Sequence, residues 1–194
     1  MKKDSQVIIV FGFSGSGKST VANAIAKHFG LRVVHPSGIL RNLYERKKSD
    51  MRRTTYNRGF WESKNGLELF KSRLKEKRPL DIVSDKLLLK EVMKGNVVID
   101  SWSLPWLTNK GIKIYLKAPL KERAKRVTQR SHISYRKALD VVRMKDEETR
   151  KLFKRLYGFD IKKDLGIFDL VTDTTQLGKK QVVNQLTDYI QIAQ

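Results

Sequence analysis

Gly12-Phe13-Ser14-Gly15-Ser16-Gly17-Lys18-Ser19-Thr20 has the residue types and the spacing that phosphate chemistry needs. Glycine, four intervening residues and then Gly-Lys-Ser is the P-loop pattern. The glycines let backbone N–H groups turn inward around an anion, and a helix starting there adds positive potential. Lys18 would reach the β- and γ-phosphates of ATP, and the Ser19 hydroxyl would hold Mg²⁺. A chance glycine-rich turn would lack the flanks this motif requires. Here Val7-Ile8-Ile9-Val10-Phe11 precedes it, a β-branched apolar run that reads as a buried strand. Apolar residues at helical spacing over 21–29, stopped by Gly30, follow it.

The elements that must position this loop alternate along the chain. A second strand spans 31–35 and ends at Pro36, after which Ser37 can cap a helix starting near Gly38. Helices are predicted over 66–77 and from Pro79 over 80–93. A third strand, 96–100, ends in Asp100, and a loop over 101–106 leads to a fourth strand at 112–116. A basic helix over 120–130 and a long charged helix over 135–156 come next. The fifth strand is predicted at 168–171, with Thr172-Asp173-Thr174-Thr175 as a turn, and a helix over 180–192 follows. Five strands alternating with helices imply an α/β fold of P-loop NTPase type. Its five-stranded parallel sheet would be covered by helices on both faces, making three layers. The chain reads as one domain, 1–194, with a core of 1–35, 95–130 and 161–194. The stretches 36–94 and 131–160 are helical insertions able to move as lids.

Composition narrows the partners. Hydrophobic content of 40% with 31% charged residues fits a globular protein, and the absence of cysteine excludes disulfides and thiolate metal sites. No apolar run approaches membrane-spanning length, and the polar start 1–6 lacks a signal-peptide core, so the expected location is cytoplasmic. Lys and Arg number 41 against 20 Asp and Glu, a net charge of +21. A nucleotide site would use only about five or six of those cations. RNA or ribosome contact, or a saline or hot cytoplasm, would account for the others. Tyr44, Tyr56, Phe60 and Trp61 interleave the basic stretch 41–64, which suits nucleic acid.

Beyond the P-loop the chain resembles the nucleoside monophosphate kinases, most closely the archaeal-type cytidylate kinases. The likeness runs through Ser37-Gly38-Ile39-Leu40-Arg41, Pro79-Leu80-Asp81, Gly95-Asn96-Val97-Val98-Ile99-Asp100 and Leu116-Lys117-Ala118-Pro119-Leu120. It continues through Arg123, Arg126 and Arg130, Tyr157-Gly158-Phe159-Asp160, and Asp169-Leu170-Val171-Thr172-Asp173-Thr174. The order and spacing of these segments are specific where no one of them is. The resemblance implies transfer of the γ-phosphoryl group of ATP to a nucleoside monophosphate, CMP or dCMP, with Mg²⁺. It makes 36–94 the acceptor-binding insertion and 131–160 the lid. It places Gly12 and residues 14–20 (Ser14, Gly15, Ser16, Gly17, Lys18, Ser19, Thr20) around the ATP phosphates. Arg126 would lie against the adenine beside Asp173 and Thr174, and Arg130 would reach the phosphates, making Lys18, Arg126 and Arg130 the catalytic cations. Ser37 and Arg41 would grip the acceptor phosphate, and Asp81 and Asp85 would read the base.

The residues themselves support several of these roles and leave alternatives. Arg126 and Arg130, four apart, share a helix face and can meet one nucleotide, or else belong to a solvated basic face with Lys121, Arg123 and Lys125. Asp100, ending a strand beside the P-loop strand, can hold a Mg²⁺-bound water beside Ser19, or cap the following loop. Acids at 81 and 85 are also a common pattern on an exposed helix face. His28, His35 and His132 read as structural or exposed, and Phe60, Trp61 and Phe70 as packing. Three departures concern the acceptor side. Ser101-Trp102 stands where the family carries glycine and an arginine for the acceptor phosphate, Leu152-Phe153 replaces an arginine-tyrosine pair, and the insertion is longer and more basic. An indole cannot supply a bidentate charged donor. Arg143, Lys145, Arg150, Lys151 and Arg155 could substitute for the missing pair from neighbouring turns, and an arginine of the lid or of 41–58 could fill the position that Trp102 leaves. A P-loop ATPase acting on RNA or ribosomal particles, and a kinase for another small acceptor, are the alternative functions.

Overall fold

The computed structural model describes residues 6–44, 59–76 and 80–193. Its strands are β1 (Val7–Phe11), β2 (Arg32–Val34), β3 (Val97–Asp100), β4 (Ile112–Lys117) and β5 (Leu170–Asp173). They form one sheet in the order β2-β3-β1-β4-β5, and every pairing is parallel. The strands after β1 add first on one side of it and then on the other. That reversal leaves a crevice beyond the C-terminal end of β1, the place where such sheets bind ligands and where the P-loop begins.

Alternation along β1 feeds both faces. Ile8 and Val10 pack beneath α1 (Lys18–Phe29) and α8 (Lys179–Ile192), against Val21, Ile25, Leu186 and Ile190. Val7 and Ile9 face α2 (Pro36–Tyr44), α4 (Leu80–Lys94) and the short α5 (Leu104–Leu107), against Ile39, Leu88, Val92 and Leu104. α3 (Lys64–Lys75) follows a 3₁₀ turn at Phe60–Glu62, and α6 (Leu120–Ser131) packs on α7 (Tyr135–Tyr157) through Ala124, Val127, Ala138 and Val142. A third cluster sits under the P-loop, where Phe11, Phe13 and Tyr115 meet Leu152 and Phe153 of α7.

The three-layer α/β fold agrees with the sequence reading, but several boundaries moved. α2 starts at Pro36, because a proline's fixed φ suits the first helical position and its missing N–H costs nothing there. Ser63 accepts the Gly66 N–H at 3.2 Å and starts α3 earlier than residue 66. Residues 104–107 of the predicted loop form α5. β5 lies further along than 168–171: Thr172 and Asp173, predicted as turn, pair with Leu116 and Lys117. Phe168 instead stacks on Phe11, ring centroids 5.2 Å apart. Most of the basic 41–64 stretch, including Tyr56, lies outside the described residues, as do Lys77 and Pro79. Among the described residues no helix is long and apolar enough to cross a membrane.

Candidate active site

Two cavities meet at the P-loop. One is lined by Gly15, Ser16, Gly17, Thr20, Arg126 and Thr174, with Leu177 and Val182 supplying apolar wall. The other, of about 160 Å³, runs from Ser14, Lys18 and Ser19 past Asp100 and Trp102 to the insertion and α7. Gly15 and Arg130 line both.

The loop between them is held by buried charge. Gly15 has φ 81°, and a Cβ there would come within 2.6 Å of the Arg123 carbonyl oxygen, so only glycine fits. Arg123 donates to the Ser14 carbonyl at 2.9 Å and to Asp146 at 2.6 Å, while Asp146 accepts the Ser14 N–H at 3.1 Å. This clamp of α6, α7 and loop has a cost: burial pushes the Asp146 carboxyl up despite the guanidinium beside it. Lys18 donates to the Phe13 carbonyl at 3.3 Å and lies 4.9 Å from the centroid of the Trp102 ring. Burial brings its ammonium down to about 8, against the pull of Asp100 and Asp146.

In the first cavity Arg126 donates to the Ser16 carbonyl at 3.3 Å, to Thr174 Oγ1 at 3.0 Å and to the Thr174 carbonyl at 2.5 Å. These bonds lay its guanidinium across the mouth between α6 and β5. Ser16 has a buried hydroxyl with no hydrogen-bond partner, on a glycine-rich loop at the start of α1. That combination fits a polyphosphate. Asp173 accepts from the Thr175 N–H and hydroxyl, feels the charge of Arg126, and lines neither cavity.

Ser19 and Asp100 are hydrogen-bonded to each other at the floor of the second cavity. His35 Nδ1 lies 2.8 Å from the other Asp100 oxygen. This histidine, read from sequence as structural or exposed, is therefore buried against a site carboxylate. Burial opposes its protonation, but the Asp100 hydrogen bond and charge outweigh that and raise it overall. Among the described residues no three or more His, Cys, Asp or Glu gather as metal ligands. A hydroxyl beside one carboxylate fits Mg²⁺, which keeps several waters and takes few protein oxygens.

Asp81 and Asp85, which sequence could equally place on an exposed face, are 3% and 6% exposed on the cavity wall. Asp85 accepts from Ser103 at 2.7 Å and from the Tyr157 hydroxyl at 2.6 Å, and burial still pushes its carboxyl up to about 6. Arg73 Nε stands 3.2 Å from Asp81 Oδ2, an ion pair whose angle makes no hydrogen bond, and the Ser84 hydroxyl is buried without a partner. Arg73 and Ser84 were not singled out in the sequence. Nothing but the later position of α3 against α4 marks them. Trp61 and Phe70, read as packing, also line this cavity, as does Ser37. Arg41 lies 4.6 Å over the Phe60 ring and is not among the lining residues. Opposite them Glu62 holds Lys145 at 2.8 Å and Arg130 at 3.0 Å.

Comparison with known proteins places this geometry. The family model described as the cytidylate kinase-like family matches residues 7–176. A cytidylate kinase of Ignicoccus hospitalis is 36% identical over 93% of this chain and 96% of its own length. One from Pyrococcus horikoshii is 33% identical over 91% of this chain and 83% of its own. In overall fold the chain is similar to shikimate kinase from Acinetobacter baumannii in complex with shikimate. That likeness has a TM-score of 0.56 at 14% identity, over 99% of this chain and 96% of the other.

Proposed function

Because this chain belongs to the cytidylate kinase-like family and is a nucleoside monophosphate kinase, we propose that it transfers the γ-phosphoryl group of ATP to CMP or dCMP. The observation that carries this reading is the pair of cavities meeting at Gly15 and Arg130, one on each side of the P-loop. The cavity under Arg126 takes ATP, and the one under Trp102 takes the acceptor. The insertion over 36–94 encloses the acceptor and 131–160 acts as the lid. The P-loop amides and Lys18 hold the β- and γ-phosphates, and Arg126 covers the base. An acceptor phosphate oxygen then attacks the γ-phosphorus in line, and the bond to the β,γ-bridging oxygen breaks. Lys18 and Arg130 neutralise the charge spread over the transferring group, in a pocket where such charges count for more than in water. Mg²⁺, when bound by Ser19 and through water by Asp100, supplies further charge neutralisation on the donor phosphates.

For the base, the acceptor cavity offers a buried acceptor in Asp81, a buried donor in Arg73 and a hydroxyl in Ser84, all with hydrogen-bonding capacity to spare. Cytosine presents an amino donor next to a ring nitrogen and a carbonyl, which matches that set. Uracil puts a carbonyl against Asp81 and loses the match. ADP formation from ATP-Mg²⁺ with CMP, dCMP, UMP, AMP and GMP tests the reading. CMP and dCMP should dominate, and a folded, ATP-binding protein stimulated by none of them would contradict it.

A further inference from the structure

Four carboxylates line the acceptor cavity: Glu62, Asp81, Asp85 and Asp100. Asp81, Asp85 and Asp100 stand on α4 and β3. Glu62 arrives from across the cleft, on a short 3₁₀ turn, Phe60–Glu62, that leads into α3. Its partners belong to α6 and α7: Oε1 accepts from Lys145 at 2.8 Å, Oε2 accepts from the Ser131 hydroxyl at 3.2 Å, and Arg130 forms an ion pair with Oε2 at 3.0 Å. Two cations and a hydroxyl converging on one carboxylate make the donor set of an anion seat, which suits a phosphate as well.

The seat is buried: Glu62 is 5% exposed and Lys145 6%. Burial penalises the Glu62 charge, but Lys145 and Arg130 hold its carboxyl below the usual range, while burial lowers the Lys145 ammonium. Lys145 is buried and Arg130 only half-buried, and leaving a buried cation without a counter-charge is strongly unfavourable, so without a bound phosphate the seat needs an anion of its own. Arg130 also lines the ATP cavity, which puts this seat beside the point of transfer.

Resting on the reading of this cavity as the acceptor site, we propose that Glu62 is the resident counter-ion of the acceptor-phosphate seat. The incoming phosphate displaces its carboxylate from Arg130 and Lys145. Lys145 thus takes over the duty of the arginine that Trp102 replaces. The acceptor must compete with an internal anion, so Glu62 lowers the apparent affinity for every phosphate-bearing acceptor, whatever its base.

Removing the carboxylate charge frees the seat. Isothermal titration with inorganic phosphate and with CMP compares the wild-type chain, Glu62→Gln and Glu62→Gln/Lys145→Met. Glu62→Gln keeps the shape and should tighten both ligands by about tenfold, and the added Lys145→Met should abolish that gain. Glu62→Asp, one methylene shorter, should tighten them by a smaller factor and serves as the readout if Glu62→Gln does not fold. Unchanged or weakened phosphate binding in the folded variants overturns the proposal, because a purely structural Glu62 predicts that result. Inorganic phosphate carries no base, so a tighter phosphate seat in a protein that CMP does not stimulate would refute the CMP reading alone.

Discussion

The two cavities are built by different means. On the ATP side the polar partners are mostly backbone: Arg126 bonds the carbonyls of Ser16 and Thr174, Lys18 that of Phe13, and Arg123 those of Ser14 and Ala118. On the acceptor side they are side chains meeting side chains, in Glu62 with Lys145 and Arg130, Arg73 with Asp81, and Asp85 with Ser103 and Tyr157. Backbone geometry is set locally, so a short glycine-rich segment encodes it and few substitutions are tolerated. Side chains converging from the 3₁₀ turn, α3, α4, α6 and α7 can be exchanged for others with the same charge. This explains how the P-loop keeps its pattern while tryptophan stands at 102. On the proposed reading, the acceptor phosphate loses one cation from that position and is offered Arg130 and Lys145 by α6 and α7.

The sharpest way to break this contrast is to remove the clamp on the ATP side. Asp146→Ala leaves Arg123 buried without its partner and should lower unfolding free energy by about 3–5 kcal/mol in urea titration. A loss near zero would mean that the loop is not held from α7. Lys18→Met should reduce kcat by a factor of about 10²–10³, roughly 2.7–4 kcal/mol of transition-state stabilisation. CMP affinity, measured separately by titration, should change far less. Equal losses in CMP affinity and in kcat would merge the two sides. The smallest effect is a pH dependence on the acceptor side. Asp85 is held at about 6 in the folded chain against an ordinary 3.8, so the folded state binds the proton more tightly than the unfolded one. Its stabilising contribution is complete below pH 3.8 and is lost as pH rises through about 6. Relative to Asp85→Asn, which does not titrate, the wild-type chain should therefore lose about 2–3 kcal/mol between pH 4 and pH 7. Parallel stability curves for the two would remove the burial argument for Asp85.

How much of this was legible in sequence follows the same division. The P-loop, both flanking elements and the strand alternation could be read directly, because glycine spacing and apolar periodicity are local signals. The end of β5 was misplaced because Thr172 and Asp173 have turn-forming side chains, while their backbone pairs with β4. Asp146 sits in the charged run of α7, where nothing separates a buried acid from the exposed ones around it. His35 gave no ligand spacing, since its partner Asp100 is 65 residues away. Arg73 and Glu62 were invisible for the same reason: each becomes meaningful only when α3 and its 3₁₀ turn close against α4, α6 and α7. The resemblance supplied Asp81, Asp85, Arg130 and Tyr157, but not that the Tyr157 hydroxyl meets Asp85 or that Glu62 meets Arg130, since those pairings form only in the folded chain.

If acceptor recognition is built from side chains apart from the ATP site, the two affinities should separate on a single substitution. Titration of Arg73→Met with CMP and with ATP-Mg²⁺, each against the wild-type chain, measures this directly. The lost charged donor should weaken CMP by about ten- to hundredfold and leave ATP affinity within about twofold, an energy change below ~0.5 kcal/mol. CMP binding that is unmoved, or ATP binding that falls in step with it, would contradict the account.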